Sequence, residues 1–309
     1  MIEELFERSP HNPLITVDQI PYPAEAAFNP GVVEHAGRVV LLLRVKDRDG
    51  ISHLTVARSR NGVDNWQIER MPLISPDPRS AEHRYEEYGC EDARISYLPE
   101  LSLYAICYTA VSAFGPGVAI ATTRDFTTVC KMGLILPPNN KDAALFPRRI
   151  NDRWFMLHRP VSGDLEYIWS TCSPDLVHWG DPRCLLPEKG GLGRDGARVG
   201  AGSPPIETQA GWLLIYHGVE STAGGAMHRL GLALADLQNP AKLLSRTAAW
   251  VMSSQEAYEH PGDVAKVIRT CGAILRGDEV WMYYGAADAC VCLARAKLSK
   301  LLDYLQSTE

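Results

Sequence analysis

The amino-acid sequence predicts an all-β protein, specifically a five-bladed β-propeller, and three observations predict it. Short runs of β-forming residues alternate with turns along nearly the whole chain, and long helical patterns are almost absent. The paired runs recur at roughly 50 to 65 residues, a period that suits propeller blades better than a pair of β-sandwiches. The second run of each pair ends in a small-residue segment, such as Ile120-Ala121-Thr122-Thr123 or Leu293-Ala294-Arg295-Ala296.

The five hairpins follow in order. Residues 39–45 pair with 51–57 across Asp49-Gly50, a turn step in which glycine accepts a positive φ. Residues 103–109 pair with 117–122 across Phe114-Gly115-Pro116. Residues 154–158 face 166–170, residues 212–217 precede 230–235, and residues 280–284 precede 290–296. Two of the second runs lead into similar turns closed by tryptophan, from Ser59 to Trp66 and from Ser173 to Trp179. The expected organisation is one catalytic domain spanning residues 1–309.

Composition narrows the function. The chain has 309 residues, 46% of them apolar, and a net charge of −6 with basic residues scattered among acids. A nucleic-acid or anionic-membrane surface needs a basic face, so neither partner is expected. A small anionic ligand needs only a few local cations. The eight cysteines show no Cys-x-x-Cys spacing and no histidine pair completes a zinc pattern. No metal or cofactor is expected, and the cysteines read as reduced core residues of a cytoplasmic protein. The acidic N-terminal residues lack the apolar stretch of a signal peptide, and no run reaches the roughly 20 apolar residues of a membrane span.

Polar residues at the ends of blade strands can meet around one central depression. Asn29-Pro30-Gly31 is either a plain turn or a group that hydrogen-bonds a sugar hydroxyl. Arg44 ends an apolar run and suits either a structural ion pair or an oxyanion. Glu91-Asp92 precedes Ala93-Arg94 at a strand start; by itself a surface salt bridge is the better reading, and a general acid is the sharper one. Neighbouring strand residues point to opposite faces, so only one of the two acids is expected to face the cleft. Asn139-Asn140-Lys141-Asp142 is a solvated turn or a sugar-binding cluster. His158-Arg159, Tyr216-His217 and Tyr284 with Asp288 close the first strands of three successive hairpins, and this repetition favours function over structure. The glycine-rich stretch 190–196 is neither a Walker loop nor a Rossmann turn and reads as a loop over the cleft or a plain connection. A second glycine-rich stretch runs from Gly200 to Pro205.

Taken in order, Gly-Cys-Glu-Asp-Ala-Arg (89–94), Asn-Lys-Asp-Ala-Ala-Leu-Phe-Pro (140–147), His-Arg-Pro (158–160), Gly-Ser-Pro-Pro-Ile-Glu-Thr (202–208), Gly-Trp-Leu-Leu-Ile-Tyr-His-Gly-Val (211–219) and Tyr-Tyr-Gly-Ala-Ala-Asp (283–288) make the chain resemble glycoside hydrolase family 130, the β-mannoside phosphorylases and related mannosidases. The resemblance runs from about Asn12 to Leu302. It implies a five-bladed propeller and an inverting, glycosyltransferase-type phosphorolysis. Inorganic phosphate, the co-substrate, would attack a terminal β-mannosyl unit of a small oligosaccharide and release α-mannose 1-phosphate. The resemblance implies Asp92 as general acid. It puts mannose contacts on Asn29, Lys141, Asp142 and Asp288, and phosphate contacts on Arg44, Arg60, Arg159, His217 and Tyr284. An inverting β-mannosidase is the alternative and would need Glu207 or Glu220 as base. A non-catalytic glycan-binding propeller is a further one, although the Gly-His and Trp-Asp repeat signature is missing. Linkage, acceptor sugar and homo-oligomer formation are left open by the sequence.

Overall fold

A computed structural model describes residues 3–81, 83–163, 165–187, 198–222, 225–260 and 267–307, with backbone alone at 162, 220–222 and 225–226. The glycine-rich stretch 190–196 lies outside the described residues. So does the side chain of Glu220, whose backbone belongs to a strand.

The chain is nearly all β. After β1 (Glu7–Arg8) come four antiparallel neighbours, β2 (Ala26–His35), β3 (Arg38–Lys46), β4 (Ser52–Ser59) and β5 (Gln67–Ile68). A short helix α1 (His83–Glu86) leads to β6 (Gly89–Leu98), β7 (Leu103–Ser112), β8 (Gly115–Thr123) and β9 (Cys130–Leu136). The third group is β10 (Asn140–Leu145), β11 (Trp154–Ser162), β12 (Leu165–Glu166), β13 (Ile168–Ser173) and β14 (Gly180–Leu186). The fourth is β15 (Arg198–Ala201), β16 (Ile206–Thr208), β17 (Gly211–Thr222), β18 (Gly225–Ala235), β19 (Leu243–Arg246) and β20 (Met252–Ser253). The fifth is β21 (Ile268–Arg276), β22 (Glu279–Ala286) and β23 (Cys290–Lys297), followed by helix α2 (Leu298–Gln306). The fourth antiparallel neighbour of this last group is β1, which pairs with β23.

All five hairpins expected from the sequence form. The third is shifted: Trp154 to His158 pair with Ser173 to Trp169, while Glu166 sits apart in β12 opposite Val161. The break has a cause. The Glu166 carboxylate is drawn to Arg159 at 3.0 Å and Arg198 at 3.2 Å, so it cannot continue the edge of β13.

The middle strands are apolar on both faces because both faces are buried. Along β3, Val40 and Leu42 pack with Ile95 and Ile106 of the second group, while Val39, Leu41 and Leu43 pack with Tyr283, Val291 and Leu293 of the fifth. Alternation of side chains thus feeds two different cores from one strand. Equivalent cores join the second group to the third through Val118, Ile120 and Met156, the third to the fourth through Leu157 and Trp212, and the fourth to the fifth through Leu232 and Met282.

The turn before the last strand of each of the first three groups also repeats. The hydroxyls of Ser59, Thr123 and Ser173 accept backbone N–H groups three residues on, from Gly62, Phe126 and Leu176. In the first and third of these turns an indole N–H caps the loop, Trp66 donating to the Val63 carbonyl and Trp179 to the Leu176 carbonyl.

Candidate active site

The innermost strand of each group is interrupted at a matching place. The ladder slips between Phe28 and Gly31 in β2, between Glu91 and Arg94 in β6, between Lys141 and Ala144 in β10, and between Thr270 and Gly272 in β21. In the fourth group the interruption is complete and separates β15 from β16. A bulge re-aims the side chain it carries. The residues at three of these slips are Asn29 (φ 44°), Asp92 (φ 50°) and Asp142 (φ 53°), all left-handed. Asn and Asp are the non-glycine residues that accept this conformation most readily.

Two carboxylates anchor the resulting site. Asp92 is buried. Its Oδ1 accepts from Asn29 Nδ2 at 3.0 Å and Arg44 Nη1 at 3.1 Å, and its Oδ2 accepts from Arg269 Nη1 at 3.3 Å. Burial pushes this carboxyl up, but Arg44, Arg269, Arg94 and the Asn29 hydrogen bond outweigh it and hold Asp92 well below the usual carboxylate range. Asp142 is fully buried. Its Oδ1 accepts from Arg94 Nη2 at 3.0 Å, and its Oδ2 faces Arg159 Nε at 2.9 Å and His217 Nε2 at 3.6 Å. Burial again opposes ionisation, and Arg159 and Arg94 overcome it.

Arg94 ties the two halves together. Besides Asp142, it donates to the carbonyls of Asp92 at 2.8 Å, Ala201 at 3.0 Å and Gly202 at 3.1 Å. Gly200, in the second glycine-rich stretch, is required by close approach: a Cβ there would lie 2.3 Å from Asp142 Oδ2 and 2.5 Å from His217 Cε1. Gly285 serves Asn29 in the same way, with a Cβ only 2.1 Å from Asn29 Oδ1.

The imidazole of His217 is buried and neutral, because burial lowers its pKa more than Asp142 raises it. It stacks on His228, whose pKa burial lowers to about 3. Lys141 is half-buried; burial, then Arg159, lowers its pKa, and its ammonium makes no ion pair among the described residues. Asp288 stands exposed at the rim, yet the surrounding protein raises its carboxyl, with Arg269 opposing and Asp92 assisting. Among the described residues, several buried polar atoms here have no hydrogen-bond partner: Asn29 Oδ1, Arg269 Nε and both ring nitrogens of His217. Such orphans are costly unless a polar ligand satisfies them. Among the described residues no group of three or more His, Cys, Asp or Glu could hold a metal ion.

The structure brings together Asn29, Arg44, Asp92, Lys141, Asp142, Arg159, His217 and Asp288 from the sequence-derived set. It separates three others. Arg60 is exposed, six positions beyond Leu54, the cross-strand partner of Arg44, and so roughly 20 Å along an extended chain from the site. The Tyr284 hydroxyl donates to Glu259 Oε1 at 2.8 Å in the core between the fourth and fifth groups, because alternation along β22 turns it away from the centre. Glu207 is bound by Arg148 at 2.6 Å and pairs with Trp212, roughly 17 Å down β17 from His217. The expectation that only one of Glu91 and Asp92 faces inward also fails. The bulge removes strict alternation, and Arg44 reaches Glu91 Oε1 at 2.6 Å as well as Asp92.

Arg269 and Arg94 were absent from that set. Both carried a signal: each is a charge inside an apolar strand, Val267-Ile268-Arg269 and Ala93-Arg94-Ile95, as Arg44 is. The shared Asp-Ala step of Glu91-Asp92-Ala93 and Lys141-Asp142-Ala143 marks the bulges.

The family model for glycoside hydrolase family 130, described as beta-1,4-mannooligosaccharide phosphorylase, matches residues 3–307. The chain is 33% identical to a beta-1,2-mannobiose phosphorylase of Listeria innocua, covering 97% of this chain and 98% of that protein. It is 30% identical to a beta-1,4-mannooligosaccharide phosphorylase of Ruminococcus albus, covering 96% and 89%. The solved structure of a Listeria innocua beta-1,2-mannobiose phosphorylase in complex with beta-1,2-mannobiose superposes with a TM-score of 0.88 at 31% identity, over 98% of this chain and 99% of that one. The chain belongs to glycoside hydrolase family 130.

Proposed function

We propose that the protein transfers a terminal β-mannosyl unit from a small mannoside to inorganic phosphate with inversion, releasing α-mannose 1-phosphate. The observation that carries this reading is the convergence of Arg159 and His217 on Asp142, with Lys141 beside them, and the link from Asp142 through Arg94 to the buried Asp92. Phosphate is its own nucleophile, so the reaction asks for one protein acid and a cationic cradle, whereas an inverting hydrolase asks for a second carboxylate to activate water. Asp92 is the acid in this scheme, and it must take up a proton once substrates compete for its cationic partners. Asn29 and Asp288 hold mannosyl hydroxyls beside it; Arg159 and His217 hold phosphate, and Lys141, a mannose contact by the resemblance, is assigned here to phosphate because it stands beside Arg159. Glu207, one of the two carboxylates considered for a hydrolase, is engaged by Arg148 on the surface, and the side chain of the other, Glu220, lies outside the described residues.

The same proposal treats residues 1–309 as a single five-bladed propeller. It is supported by the five hairpin groups, by cores between every consecutive pair, and by a core shared by the fifth group and the first. An intracellular setting fits the free thiols of all eight cysteines. No helix among the described residues is long and apolar enough to cross a membrane.

A panel of β-1,2- and β-1,4-mannobiose and mannosyl-glucose, assayed with and without phosphate, tests the reading. Mannose 1-phosphate forming only with phosphate is the expected result. Equal turnover without phosphate would transfer the assignment to a mannosidase, and no turnover on any mannoside would favour a binding propeller.

A further inference from the structure

Four guanidiniums surround the two carboxylates, and they differ in how many donors the protein already uses. Arg44 gives Nε to Ser52 Oγ, Nη1 to Asp92 and Nη2 to Glu91. Arg94 gives all three nitrogens to Asp92, Asp142, Ala201 and Gly202. Arg159 faces Asp142 through Nε and Glu166 through Nη1. Arg269 makes a single hydrogen bond among the described residues, from Nη1 to Asp92 Oδ2 at 3.3 Å. Its Nε is buried without a partner, and its side chain is 17% exposed. Arg159 Nε is likewise buried without a hydrogen-bond partner, but Arg159 faces two carboxylates; Arg269 faces one among the described residues, Asp92, and is the guanidinium with the fewest protein partners.

Resting on the phosphorylase reading above, we propose that Arg269 couples phosphate binding to proton uptake by Asp92. Before phosphate arrives, Arg269 helps keep Asp92 a carboxylate; a phosphate dianion draws the free donors of Arg269 to itself, and Asp92 takes a proton from solvent. Arg269 is then both a phosphate ligand and the residue that sets when the acid is armed.

The charges around Asp92 make this balance sensitive to one cation. Arg44 faces it from β3, Glu91 and Arg94 from its own strand β6, Arg269 and Cys271 from β21, and Asp288 from the turn after β22. Burial pushes the Asp92 carboxyl up, and only the arginines with Asn29 reverse that. Arg269 also feels Asp142 and Asp288, so it lies within the field of both halves of the site. Two negative charges placed against it cancel its hold on Asp92 and add repulsion of the same sign as burial.

The step balances. One proton moves from solvent to Asp92 on phosphate binding. An unprotonated phosphate oxygen bonds to the anomeric carbon as the glycosidic C–O bond breaks, and its electron pair leaves with the departing oxygen, which receives the Asp92 proton. The monoprotonated sugar phosphate then returns one proton to solvent, and Asp92 is again a carboxylate beside Arg269.

Calorimetric titration of inorganic phosphate into the full chain, at one pH in buffers of differing ionisation enthalpy, reads the proton directly. Wild type is expected to take up more protons than Asp92→Asn, by a difference approaching one. Infrared difference spectra should show a protonated carboxyl band on adding phosphate, missing in Asp92→Asn. Arg269→Gln should weaken phosphate binding about ten- to a hundredfold and abolish the linkage. Arg269→Lys keeps a charge in place and guards against a folding failure; it should retain part of the linkage. Equal proton linkage in wild type and Asp92→Asn, with phosphate bound by both, would overturn the coupling and leave the phosphorylase reading standing. Full wild-type linkage in Arg269→Gln would overturn the role of Arg269. Phosphate-independent turnover would remove the phosphorylase reading, and the coupling with it.

Discussion

Arg94 and Asp142 form an ion pair at 3.0 Å in which each side chain is only 1% exposed. Arg94 spends its other donors on the carbonyls of Asp92 in its own strand, Ala201 at the end of β15 and Gly202 just after it, so it fixes where Asp92 stands relative to Asp142. Removing one partner of a buried pair strands the other. Arg94→Ala should cost about 3–5 kcal/mol in urea denaturation. A loss within experimental error would show that the pair is replaceable.

Asp92→Asn keeps the hydrogen-bonding shape of the side chain but has no acidic proton to give. Mannose 1-phosphate formation should fall by about 10²–10⁴, the range of general acid catalysis, while the fold and phosphate binding persist. Unchanged turnover would remove Asp92 from the chemistry.

Gly200 leaves no room for a methyl group between Asp142 and His217. Gly200→Ala should displace one or both side chains, cost about 1–3 kcal/mol of stability by overpacking and reduce kcat/KM for phosphate at least about tenfold. A variant with wild-type phosphate kinetics would place the cradle elsewhere.

Arg60 and Tyr284 provide the opposite check. Arg60→Ala is a surface change and should leave stability within about 0.5 kcal/mol and phosphate KM unaltered. Tyr284→Phe leaves buried Glu259 short of one donor and should cost about 1–3 kcal/mol without touching phosphate KM. A raised phosphate KM in either variant would return that residue to the site.

Acid should destabilise the protein in two stages. His158 is held neutral by burial, with its pKa lowered to about 4, and His228 is lowered to about 3. The unfolded chain binds these protons below about pH 6.5, so stability present above that pH is lost as the pH falls toward the folded values. The depressed carboxyls of Asp92 and Asp142 add a further loss below about pH 4. Thermal midpoints should be flat above about pH 6.5 and fall below it, less steeply in His158→Asn. A midpoint that rises on acidification would contradict the neutral state of these imidazoles.

Much of this fold is visible in the sequence because β3, β7, β17 and β22 are apolar on both faces and are bounded by turns. The third hairpin is misplaced by a few residues because Glu166 answers to Arg159, a partner only the folded chain supplies. The site is legible where a polar residue closes or opens an apolar run in the sequence, as at Asp92, Arg159 and His217, although the strands themselves run on past all three. It is not legible where direction decides. Tyr284 and Arg60 have the right chemistry and point or lie elsewhere, and Arg269 sits on an inner strand whose inward face depends on a bulge. Glu91 and Asp92 share Arg44 for the same reason: strict alternation is a property of regular strands, and the site is built where strands are irregular.

The pairing of β1 with β23 joins Glu7 to Arg295 and Arg8 to Ala294. A growing chain cannot make that contact until its last strand has been synthesised, so four hairpin groups can assemble in order while the clasp waits for release of the final segment. The entropy of closing so long a loop rises only logarithmically with its length, and the contact is a late event more than an expensive one. Until it forms, β23 presents a bare strand edge, the feature through which β-proteins recruit one another. Deleting residues 1–9 would leave the edge bare at Ala294 and Arg295, while Leu14 and Ile15 still cover Val291, and self-association of the truncated protein is its expected mark.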